Sequence, residues 1–225
     1  MTYARREISN RRYPLKTFCL AIFLALSCFM DVEPVMGMDA ESLYLRYSAE
    51  NPDLCGYVDH KGRVVIPFGK YQHCFTEVWS RFAVVYHAKK GLIAIDRKEK
   101  VLFKVMSVDN GPDYPSEGLF RIIKDNKIGF ANINGEVVIK PKFTAALPFS
   151  EGLAAFCEDC ILVKQGEHQS WQKGKWGFID KSGNIVIPAK YDNVIDGFRK
   201  GQAKVELNGE TVIINSNGKV ITPRK

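Results

Sequence analysis

The residues best equipped for chemistry are two cysteines separated by two acidic residues, Cys157-Glu158-Asp159-Cys160. Such a pair serves as a redox centre, as half of a metal clamp or as a short structural disulfide. Redox thiols of the thioredoxin kind are activated at a helix N-terminus, whereas Ile161-Leu162-Val163, which follows here, favours a strand. A zinc clamp needs two more thiolates or imidazoles, and the four histidines, His60, His73, His87 and His168, stand at no finger spacing. A local disulfide between Cys157 and Cys160 is therefore the leading reading in an oxidising compartment, with a free or differently paired thiol next. Metal or redox chemistry is the remaining alternative.

Just beyond lies Gln165-Gly166-Glu167-His168-Gln169-Ser170-Trp171, a polar stretch with one large aromatic ring. Long loops on a rigid scaffold carry binding, so Trp171 and His168 form the candidate ligand surface. The competing reading is a surface excursion in which Trp171 covers an apolar patch. Other chemistry is absent from the sequence: there is no Gly-x-Ser-x-Gly elbow, P-loop or dinucleotide fingerprint. The carboxylates Asp59, Asp96 and Asp180 sit at turns, where bonding to the local backbone accounts for them. The sequence Asp180-Lys181-Ser182-Gly183 lacks the alternating oxygen ligands of a calcium loop. Asp113, Glu117, Glu158 and Asp159 read as solvated surface charges and not as a glycosidase pair. No catalytic residue, metal or cofactor is expected.

The elements that position these residues repeat. Aligning the chain on Asp59, Asp96, Asn132, Asp180 and Asn215 gives intervals of 37, 36, 48 and 35 residues. Three residues after each stands Gly62, Glu99, Gly135, Gly183 or Gly218, so four of the five copies keep a glycine. An Asp or Asn that opens a turn and a glycine in the left-handed position describe a β-hairpin. The second strand then opens on Val64-Val65-Ile66, Val137-Val138-Ile139 or Ile185-Val186-Ile187. Prolines follow at Pro67, Pro141, Pro188 and Pro223, marking strand ends or a sheet edge, and then the pairs Lys70-Tyr71, Lys142-Phe143 and Lys190-Tyr191.

A third strand completes each copy, at Phe82-Ala83-Val84-Val85-Tyr86, Gly118 to Ile122, Gly152 to Phe156 and Gly201 to Val205. Leu43-Tyr44-Leu45-Arg46-Tyr47 is one more, ahead of the first hairpin. In this register Cys55 falls where Trp176 stands and Cys74 where Val194 stands, both apolar core positions. Cys157 falls opposite Glu206 and is expected near the surface. Four mature cysteines allow three disulfide connectivities. The long interval places the insertion between Cys157 and Lys173.

The fourth copy, Lys175-Trp176-Gly177-Phe178-Ile179-Asp180 with Gly183, Ile187-Pro188 and Lys190-Tyr191, resembles the bacterial WG (KWG) repeat family. Its signature residues are Trp176, Gly177, Phe178, Asp180, Gly183, Pro188 and Tyr191. The first and third copies keep Gly56 and Gly129, while the second and fifth have Ile93 and Val212 at that place. The resemblance implies tandem β units and no defined enzymatic activity. The expected fold is all-β, with five three-stranded antiparallel units in a closed, propeller-like array, or alternatively an open β-solenoid. Closure follows if Leu43 to Tyr47 pairs with the last hairpin and removes a free edge.

Residues 1–37 are of another kind, with Arg5, Arg6, Arg11, Arg12 and Lys16 ahead of a 14-residue apolar run, Thr17 to Met30. A spanning helix needs about 20 residues, so the segment reads as an export signal cleaved after Gly37, with Ala40 a second candidate. Ala25-Leu26-Ser27-Cys28 is a loose lipobox that makes Cys28 a candidate acylation site; a cysteine acting as a small hydrophobe is the leading alternative. Removing 1–37 lowers the net charge from +7 to +5. The remaining basic residues form no block of five and read as a solvated surface, and an exported protein meets anionic lipids and wall polymers first, so nucleic acid is not an expected partner. The sequence thus predicts residues 38–225 to be a five-unit, non-enzymatic binding or scaffolding domain. It would be periplasmic or extracellular, serve a protein or envelope polymer, and touch the membrane only through its signal or a lipid on Cys28. The alternative function is a thiol-redox or metal-binding protein using Cys157 and Cys160.

Overall fold

Five copies of one turn set the frame. The computed structural model describes residues 39–109, 111–165 and 168–221. In each copy the side-chain oxygen of Asp59, Asp96, Asn132, Asp180 or Asn215 accepts the amides two and four residues on, at 2.9 to 3.1 Å. The residue three places on is left-handed in every copy, including Glu99 at φ 60°. These carboxylates and amides are committed to holding hairpins.

The third strands pair differently from the sequence expectation. Each joins the hairpin that follows it: Leu43–Tyr47 pairs with Cys55–Val58, Phe82–His87 with Gly91–Asp96, Leu119–Lys124 with Lys127–Asn132, Leu153–Cys157 with Trp176–Asp180 and Gln202–Leu207 with Glu210–Asn215. Two-residue turns enforce this in units three and five. Asp125-Asn126 (φ 51° and 58°) and Asn208-Gly209 (54° and 77°) are left-handed at both positions, the geometry that matches strand twist in a hairpin. Each unit is therefore a lead strand, a central strand and an outer strand in chain order.

The closed, propeller-like array does not form. Leu43–Tyr47 lies between Cys55–Val58 and Val78–Trp79 and belongs to the first unit, so no strand is left over to close on the last hairpin. The central strands of units one to four are buried on both faces, and the apolar clusters join unit one to two, two to three, three to four and four to five. A ring of five units needs five such clusters, whereas four are found among the described residues. The row is open and solenoid-like. In the last lead strand among the described residues Ala203 and Val205 are buried, while Gln202 and Lys204 are exposed.

Side chains passed from one unit to the next reinforce the stack. Ser116 Oγ donates to Phe149 O at 2.6 Å, and Glu117 accepts from the Gly152 amide at 3.0 Å and pairs with Lys181 at 3.1 Å. Ser150 and Glu151 repeat the pattern one unit on, to Phe198 O and to the amides of Lys200 and Gly201. The third copy of this corner reads Arg199-Lys200-Gly201, without the serine and glutamate, and no further unit follows it among the described residues. Glu117 is thus a connector and not the free surface charge that its sequence suggests.

The signature glycine explains the sheet topology. Trp176 pairs with Tyr191 and Phe178 with Ile187, so the outer strand carries an excess of residues that arches over Gly177. A Cβ there would lie 2.5 Å from Ile187 O and 2.8 Å from Ala189 N. Gly56 and Gly129 lie under equivalent arches. In unit two the position is Ile93, and the outer strand Val101–Val105 runs on opposite it, with Ile93 facing Lys104. Its far side then pairs with the next lead strand through Val105 and Lys104. Units two and three consequently share one seven-stranded sheet, while units one, four and five each form their own four-stranded sheet.

Glu99 also acquires a role at its unusual position. Its carboxylate accepts from Lys70 Nζ at 2.7 Å and Tyr71 OH at 2.6 Å, tying unit one to the turn of unit two. Partial burial pushes its carboxyl up, but the hydrogen bonds from Lys70 and Tyr71 and the Lys70 charge outweigh this and hold it below its ordinary value. A lowered folded-state pKa gives stability that is present above the ordinary carboxylate value and lost as pH falls through the lowered one. Glu99→Gln is therefore expected to lower stability at pH 7 and to reduce the loss on acidification below about pH 4.5. Chemical denaturation of both forms between pH 7 and pH 3 checks this.

Candidate functional site

The insertion is an extra hairpin set into the turn between lead and central strands of unit four. Its arms are Ile161–Gln165 and His168–Gln172, with Leu162 opposite Trp171. At its base Cys157 and Cys160 are joined, with a Cα–Cα separation of 5.7 Å. Cys157 ends the lead strand opposite Trp176, and it is fully buried, which corrects the surface position expected from its register with Glu206. Thr144 closes the loop, its Oγ1 donating to Cys157 O and accepting from Cys160 N, each at 3.0 Å. Gly174 packs so closely that a Cβ would meet Cys157 Sγ at 2.8 Å. Trp171 is half-buried against the core that contains Trp176 and both cysteines. The His168 side chain and residues 166–167 lie outside the described residues.

Cys55 and Cys74 form a second disulfide, Cα–Cα 6.1 Å, inside the first inter-unit core. It takes the place of the Trp176 and Val194 side chains that pack in the fourth core. A link across 19 residues restrains the unfolded chain by about 3 kcal/mol, against about 2 kcal/mol for a four-residue loop. Replacing Cys55 and Cys74 together by Ala is expected to lower stability more than replacing Cys157 and Cys160, as thermal melts of the two double variants would show.

The other signature residues are structural. Trp176, Phe178 and Tyr191 are buried in one core, and Tyr191 OH donates to Gly218 O at 3.0 Å in the next turn. Pro188 sits in the arch over Gly177. Cys28 and residues 1–37 lie outside the described residues.

Two features escaped the sequence reading. Asp113 and Arg121 form a buried ion pair, with Nη2 to Oδ1 at 2.6 Å and Nε to Oδ2 at 2.9 Å; Arg121 Nη1 also reaches Ala146 O at 3.0 Å. Asp113 is thus no solvated charge. The available signal was register, because Arg121 occupies the lead-strand place that Ala155 fills in the next unit. The second feature is a pair of clefts. One, about 280 Å³, is lined by Phe75, Phe82, Phe120 and the exposed Tyr114. The other, about 1020 Å³, lies where the outer strand of unit two parts from the lead strand of unit three, with Lys104, Lys124, Lys127 and Lys140 around it. Among the described residues no group of three or more His, Cys, Asp or Glu is placed to hold a metal ion.

Three segments, 56–77, 128–159 and 176–210, match a family model described as the WG containing repeat. They begin within a residue of Gly56, Gly129 and Gly177, the three arched glycines. No curated protein matches the chain.

Proposed function

The chain belongs to the WG-repeat family, and from that premise we propose that it is an exported, non-enzymatic module that binds or scaffolds a protein or polymer of the bacterial envelope. The observation that carries the reading is a repeated surface. At the start of the outer strands Val64, Val65, Val137, Val138, Ile185 and Val186 are all 40 to 55 % exposed, although each copy buries the third residue of the run. Apolar residues exposed at the same places in three units mark a contact surface, whereas the signature residues are taken up by folding. Export is supported by the N-terminal segment and by the two disulfides, which persist in oxidising compartments.

The test uses an envelope fraction and the immobilised full chain. Native protein should retain an envelope component, and the variant Val65→Lys, Val138→Lys, Val186→Lys should lose it while keeping its melting temperature. Equal retention by both would remove the surface from the account. Mass spectrometry of protein recovered from cells should find a start at Met38 or a lipid on Cys28; an intact Met1 would contradict export.

A second reading, a thiol-redox or metal-binding protein, is supported by the short Cys157–Cys160 loop alone. The burial of both cysteines in the core weighs against it. Stoichiometric zinc, or a thiol pair that opens reversibly under mild reductant in the native protein, would favour it.

A further inference from the structure

The outer strand of unit two is paired from Val101 to Lys104 on one side and only at Lys104 and Val105 on the other. Ile93, Ala94 and Ile95 of the central strand face Lys104, Phe103 and Val101. On the other side Val105 and Lys104 pair with Ile122 and Ile123 of the lead strand Leu119–Lys124. That strand then turns back at Asp125-Asn126, leaving Val101 to Phe103 with no strand partner on that side among the described residues. The large cleft is the resulting notch.

Its rim is cationic. Lys104, Lys124 and Lys140 are exposed and make no ion pair among the described residues, and Lys127 reaches only a carbonyl, Glu158 O, at 3.5 Å. Asp125 is the one carboxylate lining the cleft. Leu102 and Val137, 39 % and 46 % exposed, supply apolar contact. At about 1020 Å³ the space is at the upper end of small-ligand pockets and suits a chain segment.

We infer that this notch binds an acidic extended peptide, which adds a strand to the free edge of Val101 to Phe103 and places its carboxylates among Lys104, Lys124, Lys127 and Lys140. The inference rests on the reading of the chain as a binding module and names a partner class for one site of it. An unpaired strand edge offers alternating donors and acceptors that a peptide backbone matches. A polyanionic glycan or an anionic lipid surface would use the lysines and leave that edge unpaired.

The probe is a fluorescein-labelled octapeptide of alternating Glu and Val, titrated against the full chain at low and moderate salt. Saturable, salt-weakened binding is expected, together with slowed amide exchange at Val101 to Phe103. The variant Lys104→Glu, Lys140→Glu should bind about tenfold or more weakly, as removal of rim charges predicts, with an unchanged melting temperature. Polygalacturonate should compete weakly and leave those amides unprotected. Absence of peptide binding overturns the inference, as does polygalacturonate binding as tightly as the peptide without amide protection. The outer-strand variant used above changes none of the residues that line this notch. Failure here alongside envelope retention by the native chain therefore sinks the peptide site and spares the binding module, whereas loss of both sinks both.

Discussion

Gly177→Ala is expected to destabilise the protein by about 3 kcal/mol, the upper part of the range for overpacking a buried site. The new methyl group would lie 2.5 Å from Ile187 O, 2.8 Å from Ala189 N and 2.9 Å from Pro188 C, all backbone atoms of the arch. A side chain could rotate away, but an arch held by Phe178 opposite Ile187 and Trp176 opposite Tyr191 has to shift as a whole. For a domain of this size the loss corresponds to a melting temperature lower by roughly 6 to 12 °C. Gly62→Ala is the control. Nothing lies within 4 Å of its added Cβ, and only the left-handed φ of 78° opposes it, so the cost should be about 1 kcal/mol. If the two substitutions cost the same, close approach of the arch is not what the glycine serves.

Breaking the ion pair of unit three should cost as much or more. Asp113 and Arg121 are both buried, and the Asp113 carboxylate also accepts the Arg121 amide at 2.7 Å. Asp113→Ala leaves a buried guanidinium with only Ala146 O as its remaining partner among the described residues, and removing one member of such a pair costs about 3 to 5 kcal/mol. The pair itself need not be strongly stabilising, because both charges were desolvated to make it. The double variant Asp113→Leu, Arg121→Met is therefore expected to recover most of the loss, and chemical denaturation of the single and double variants measures the coupling. Loss in the double variant equal to the sum of the singles would show that the two residues act separately.

The sequence carried the repeat in its turn residues because these act locally. Asp or Asn bonding the backbone two and four residues on, with a left-handed residue between, depends on no distant part of the chain. The phase of the units was harder to read. Alternation says which face of a strand is buried but not which neighbour it pairs with, and that choice was made by Asp125-Asn126 and Asn208-Gly209. Asn-Gly is a strong hairpin signal, and at Asn208-Gly209 it joins the third strand to the hairpin after it rather than the one before. Once the phase moves by one strand, Leu43–Tyr47 belongs to unit one and the reason for closing the ring disappears.

Residues whose role depends on a neighbouring unit were the least legible. Glu99 looked like a lapse from glycine, and only the stack shows that it receives Lys70 and Tyr71. Glu117 and Glu151 sit on turns where charge is ordinarily solvated, yet the next unit presents backbone amides to them. Of the candidate site, the register located the insertion. It could not say that Trp171 leans on the core or that Cys157 is buried, since both follow from how the extra hairpin folds back. The notch between units two and three arises from a residue that breaks the pattern, Ile93 in place of the glycine, and its meaning depends on the arch that it prevents.

The most direct test of the account is the distance between the two ends of the row, measured by paired spin labels at Tyr44 and Ile221 in the otherwise native chain. Five units stacked through four cores, with sheets about 10 Å apart, predict a separation of several sheet spacings. A separation near the roughly 5 Å between paired strands would mean that the first lead strand closes on the last hairpin, and would contradict the open row.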